Sequence, residues 1–119
     1  MSELATREML LAAPKRRFTE VTIPDWGTFR LRSLTELERS RLEAAMLDKK
    51  GQLSPTKLID HKCRMIVASV VDADGNQLLS NADIAALQQQ DSSLTNALVD
   101  EIQKHCGISK ADIEELEKN

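Results

Sequence analysis

The chain is short of aromatic residues: two Phe, one Trp and no Tyr among 119 positions. All three fall between Phe18 and Phe29, and no aromatic follows. That scarcity argues against an all-β sandwich, whose many strands draw on aromatic and β-branched side chains. Glycine is also scarce, at four, which leaves few places where backbone could wrap a phosphate or a nucleotide. No apolar run approaches the roughly 20 residues needed to span a bilayer, so no membrane partner is expected. No basic segment precedes an apolar stretch near Met1, so no signal peptide is expected. The two cysteines, Cys63 and Cys106, make no disulfide framework, and both are expected as free thiols in a reducing cytoplasm.

What is present suffices for one folded domain. Leu, Ile, Val and Phe make up 30 of the 119 residues, above the ~20% below which chains tend to stay disordered. Charge is uneven. Residues 1–50 carry ten Lys and Arg against eight Asp and Glu, whereas residues 51–119 carry six against eleven. Seven of the eight arginines lie in the first half. A nucleic-acid binder normally shows a stronger basic face than a chain of net charge −3, so no nucleic-acid partner is expected.

Periodicity divides the chain into a hairpin and helices. Residues 1–17 form an arm, flexible or briefly helical, that ends near Pro14 and the basic triplet Lys15-Arg16-Arg17. Residues 18–119 form the single domain. Alternation at Val21 and Ile23, then at Phe29 and Leu31, predicts a β-hairpin over 18–32. Pro24-Asp25-Trp26-Gly27 would close it through a type I turn and a bulge. Helices are expected over 35–117. Thr35 with Glu38 forms a capping box, and Leu37, Leu42, Ala45 and Met46 make the first stripe. Ser54-Pro55 opens a helix running to about Val71, with Ile59, Cys63, Ile66 and Val70 inward. Ser80 with Asp83 caps a short helix carrying Ile84 and Leu87. Asp91 or Ser92 begins another, carrying Leu94, Leu98, Ile102 and Cys106. Gly107-Ile108 ends it, and Ser109 starts a last short helix. The expected class is mainly α (α+β): an N-terminal hairpin followed by four to five helices.

Candidate chemistry is sparse. Asp72-Ala-Asp-Gly-Asn76 misplaces the glycine of a calcium loop. His61 with Cys63, and His105 with Cys106, have zinc-type donors but at spacings that point them apart on a helix. A cysteine nucleophile needs an adjacent base and an orienter, and no catalytic motif is present, so the expectation is no enzyme, no metal and no cofactor. Three aromatics beside Arg30 and Arg32 resemble a base-stacking platform, but Phe29 keeps phase with Leu31 and so belongs to the buried face. A protein-binding module remains. Its candidate contacts are Trp26 at the turn, Phe18, Arg30 and Arg32 on the hairpin, and Leu4, Met9, Leu10 and Leu11 on the arm.

The order of "VTIPDWGTFRLRSLTELER", "IVASVVDADGNQLLSNADIAAL" and "CGISKADIEELEKN" resembles the tail assembly chaperone family of long-tailed phages and prophages. Pro24, Trp26 and Gly27, Leu34 and Glu38, Val71-Asp72 with Asp74-Gly75, and Ile113 to Asn119 carry the resemblance, which covers about residues 18–119. It implies a protein without enzymatic activity that binds the tape measure protein and keeps it soluble until the major tail protein polymerises around it. It places the chain in the cytoplasm of the bacterial host and outside the mature virion, with a homo-oligomer left open. Glu117-Lys118-Asn119 can be encoded by GAA AAA AAC, a slippery run, so the resemblance also implies a frameshifted longer product that recruits the major tail protein. The alternatives are a structural tail or head–tail connector protein and a small nucleic-acid-binding regulator.

Overall fold

A computed structural model describes residues 4–13 and 15–106. The expected stop at Gly107, the helix from Ser109 and the end Glu117-Lys118-Asn119 lie outside the described residues. The elements run α1 (Arg7–Leu10), β1 (Phe18–Ile23), β2 (Gly27–Arg32), α2 (Glu36–Ala44), α3 (Pro55–Ile59), α4 (His61–Ser69), β3 (Val70–Val71), a 3-10 turn (Asn81–Asp83), α5 (Ile84–Leu87) and α6 (Ser92–His105). The class is α+β, as the sequence predicts.

The hairpin forms as expected. β1 and β2 pair antiparallel, with Val21 opposite Phe29 and Thr19 opposite Leu31. Val21, Ile23 and Leu31 are buried, and Phe29 packs against the same cluster. The turn differs from the expected type I. Trp26 N–H donates to the Ile23 carbonyl (3.0 Å), and Asp25 takes a φ of +72°. Proline at the second position with a left-handed third residue is the signature of a type II turn. Gly27 supplies a further positive φ (+127°), so a positive-φ residue stands on each side of Trp26.

β3 was not foreseen. The pattern over 54–71 predicts one helix, and the structure divides it in three. The break comes at Asp60, which ends α3 and precedes α4. It turns Ile59 outward, to 72% exposure, where the stripe had placed it inside. The helix then stops at Ser69, and Val70 and Val71 extend to pair with Leu31 and Arg30. Two β-branched residues in sequence fit a strand better than a helix end. Their backbone satisfies the second edge of β2, giving the sheet order β1-β2-β3.

The core lies where α4 and α6 pack together and α6 crosses β1 and β2. Met65, Ile66, Leu98, Val99 and Ile102 are all buried there. Asp91 starts α6, its carboxylate accepting from Ser93 N–H at 2.8 Å. Leu94, Leu98, Ile102 and Cys106 share the buried face as predicted. α2 packs on α4 through Leu42, while Leu37 stays exposed rather than joining the stripe. No helix among the described residues is long and apolar enough to cross a membrane.

Candidate functional site

Among the described residues, 4–13 of the arm carry apolar side chains without burying any of them. Thr6 caps α1, its Oγ1 accepting from Met9 N–H at 3.2 Å. The helix lasts only one turn and no residue in it is buried. Leu4 is 92% exposed, Leu10 83%, and Met9 and Leu11 more than half. A single turn with no packed face is marginal by itself, so its apolar residues contribute nothing to this fold. Among the described residues, the arm's hydrogen bonds to the rest of the fold come from Arg16 and Arg17 at its far end. Arg17 N–H donates to Ser33 Oγ (2.9 Å), and Ser33 N–H donates to the Arg17 carbonyl (2.8 Å).

The hairpin presents a second exposed set. Trp26 sits at the turn and is 42% exposed, so it is not part of the buried core. Phe18 is exposed to the same degree, on the face opposite Val21 and Leu31. Its ring has two near neighbours. The Arg30 guanidinium lies 4.5 Å from the ring centroid, a cation–π distance. Gly75 approaches so closely that a Cβ there would stand 3.4 Å from the ring. The turn bearing Gly75 is held by Asp72, whose Oδ1 accepts from Asp74 and Asn76 N–H. Arg30 also donates to the Ala73 carbonyl at 2.7 Å, joining turn and strand.

Arg32 is placed differently from Arg30. Its Nε donates to the Ala68 carbonyl (3.1 Å), and one Nη lies 3.4 Å from Glu38. Glu38 is the centre of a small knot. Arg16 approaches it at 2.8 Å and 3.1 Å, and its Oε1 accepts from Thr35 N–H at 2.9 Å in the predicted capping box. Partial burial works against the charged carboxylate. The Arg16 and Thr35 hydrogen bonds, with the charges of Arg16 and Arg32, outweigh it and hold the pKa below the ordinary range.

Beside this knot an open cleft of about 350 Å³ runs between α2 and α4. Arg32, Glu38, Arg41 and Arg64 line it over Leu42, Ala45, Val67 and Ala68, and Gln77 and Asn81 close one side. Arg64 is held by the Ala45 carbonyl (3.2 Å) and Asp60 (3.6 Å). Sequence reading missed this site because its parts come from four segments. The concentration of arginine in the first half was its only trace.

Cys63 and Cys106 are buried and free. Burial pushes the Cys106 thiol up to about 11, against the opposing pull of Ser69 and Arg17. A thiol protonated at neutral pH is a poor nucleophile and a poor metal ligand. Among the described residues no group of three or more His, Cys, Asp or Glu converges as metal ligands would.

No protein-family model matches the chain, and no curated protein matches it in sequence. A solved structure does match in fold. The tail assembly chaperone of bacteriophage HK97 superposes with a TM-score of 0.62, covering 85% of this chain and 92% of that one, at 12% identity. This chain has the fold of a phage tail assembly chaperone. Almost the whole chaperone structure is therefore matched at an identity too low to carry individual residues across.

Proposed function

We propose that this chain is a tail assembly chaperone that binds the tape measure protein, holds it soluble and helps recruit the major tail protein during tail assembly. The observation that carries the reading is the shared fold with a tail assembly chaperone over 85% of the chain. The physics supports it. A long helical client exposes apolar surface until its tube closes around it, an aggregation hazard. A small protein with exposed Leu4, Met9, Leu10, Leu11 and Trp26 has unpartnered apolar groups with which to cover part of that surface. Many copies along one rod would act through avidity, so weak single contacts suffice.

The test is co-expression with the tape measure protein of the same phage or prophage. The expected result is a soluble client only when this chain is present. Equal solubility with and without it would overturn the reading. Mass spectrometry of purified virions separates it from a structural tail or connector role, since a chaperone should be missing from the particle. Recruitment of the major tail protein through a longer product requires the slippery codons at Glu117-Lys118-Asn119, which the gene sequence would reveal.

A further inference from the structure

We propose that the cleft between α2 and α4 receives acidic side chains carried on an apolar segment of the client protein. The inference rests on the chaperone reading and adds to it a site and a chemistry. The cleft has an excess of positive charge. Around it stand Arg16, Arg32, Arg41 and Arg64, against the carboxylates of Glu38 and Asp60. Both carboxylates are already engaged, Glu38 by Arg16 and Arg32 and Asp60 by Arg64. The Arg41 guanidinium has no hydrogen-bond or ion-pair partner among the described residues, although it lines the same cleft. Its fork of N–H donors matches a carboxylate in two-point geometry.

The rest of the site is held ready. Backbone carbonyls of Ala68 and Ala45 fix Arg32 and Arg64, and Gln77 donates to the Val67 carbonyl at 2.9 Å. A ligand would therefore meet two positioned guanidiniums and would have to order only Arg41. The floor of Leu42, Ala45, Val67 and Ala68 selects among anions. A phosphate backbone gains nothing from such a floor, and a chain of net charge −3 repels a polyanion at longer range. A Glu or Asp flanked by aliphatic residues satisfies both charge and floor. About 350 Å³ admits one or two side chains, so the cleft sets the register of a client segment while the exposed apolar residues supply area.

The test uses the full chain co-expressed with its client, as wild type, Arg41→Glu, Arg41→Ala and Lys49→Glu. Lys49 is an exposed loop residue outside the cleft, so its reversal changes net charge by the same amount. Thermal melting of each purified variant checks that the fold is kept. The expected result is about ten-fold less client recovered with Arg41→Glu, a smaller loss with Arg41→Ala, and wild-type recovery with Lys49→Glu. Full recovery with Arg41→Glu, or an equal loss with Lys49→Glu, would overturn the cleft. So would recovery that nuclease treatment abolishes, which would make it a nucleic-acid site. Failure of the wild type to hold its client is a separate result and would remove the chaperone reading itself.

Discussion

On the β1–β2 hairpin, one face carries Val21, Ile23, Phe29 and Leu31, and the other carries Phe18, Arg30 and Arg32. The first is packed on α6, in one buried cluster with Met65 and Ile66 of α4, and is almost dry. The second holds an exposed aromatic, a cation lying over it and an arginine reaching into a cleft. Trp26 stands at the tip between them, nearly half exposed. The two faces share one backbone and differ only in side-chain phase. Residues two apart face the same side, so a single hairpin serves stability on one surface and leaves the other for the recognition proposed above. Changes on the inner face should therefore alter folding, and changes on the outer face and tip should alter binding.

The sharpest way to break that contrast is Leu31→Ala. Leu31 is 1% exposed, so its truncation should cost about 3 kcal/mol, read as a lower urea midpoint at unchanged slope. An outer-face position with an equal cost would erase the distinction. Glu38→Ala comes next and probes the place where the outer face meets the core. It removes the capping box and leaves Arg16 and Arg32 without their carboxylate, for an expected loss of about 1–2 kcal/mol in the same titration.

Stability should also have a pH window set by the inner side. His61 is buried with both ring nitrogens unpartnered, and burial, with the charge of Arg64, lowers its pKa. The unfolded chain takes up this proton near pH 6.5 while the fold resists it, so stability should fall as pH drops below about 6.5. At the alkaline end the Cys106 thiol titrates at about 11, raised from 9.0. The unfolded thiol ionises first, so stability should fall again between those values. Melting temperatures from pH 5 to 11 check both edges. Replacing His61 by Leu should flatten the acidic edge alone. The smallest stability effect belongs to Trp26→Ala, within about 1 kcal/mol because the ring is 42% exposed. It should nevertheless reduce client recovery on co-expression. A large loss of stability there would assign Trp26 to the core after all.

How far the fold could be read depended on whether its signals were local. The hairpin was legible because alternation at Val21, Ile23, Phe29 and Leu31 is a two-residue pattern. The caps at Thr35, Ser54, Ser80 and Asp91 were legible because each is a contact spanning three residues or fewer. The stretch 54–71 was misread because its stripe fits a long helix, and nothing local marks Asp60 as a break or Val71 as the partner of Arg30. The outward turn of Ile59 followed from the same break. For the candidate site, the exposure of Leu4, Leu10 and Trp26 was consistent with their positions on an arm and at a turn. The separate tasks of Arg30 and Arg32 were not readable, since they depend on Ala73, Ala68 and Glu38, residues distant or on another element.

By itself the sequence determined the class, the hairpin, most helix starts and the buried stripe of α6. Those features come from side-chain phase and capping, which act within a few residues along the chain. Only the tertiary structure decided that Val70 and Val71 complete the sheet, that Phe18 has Arg30 and Gly75 as near neighbours, and that Arg32, Arg41 and Arg64 meet over one apolar floor. The physical reason is that backbone pairing and charge clustering depend on distance in space, and α2, α4 and the segment through Gln77 and Asn81 come together only once the core behind them has packed.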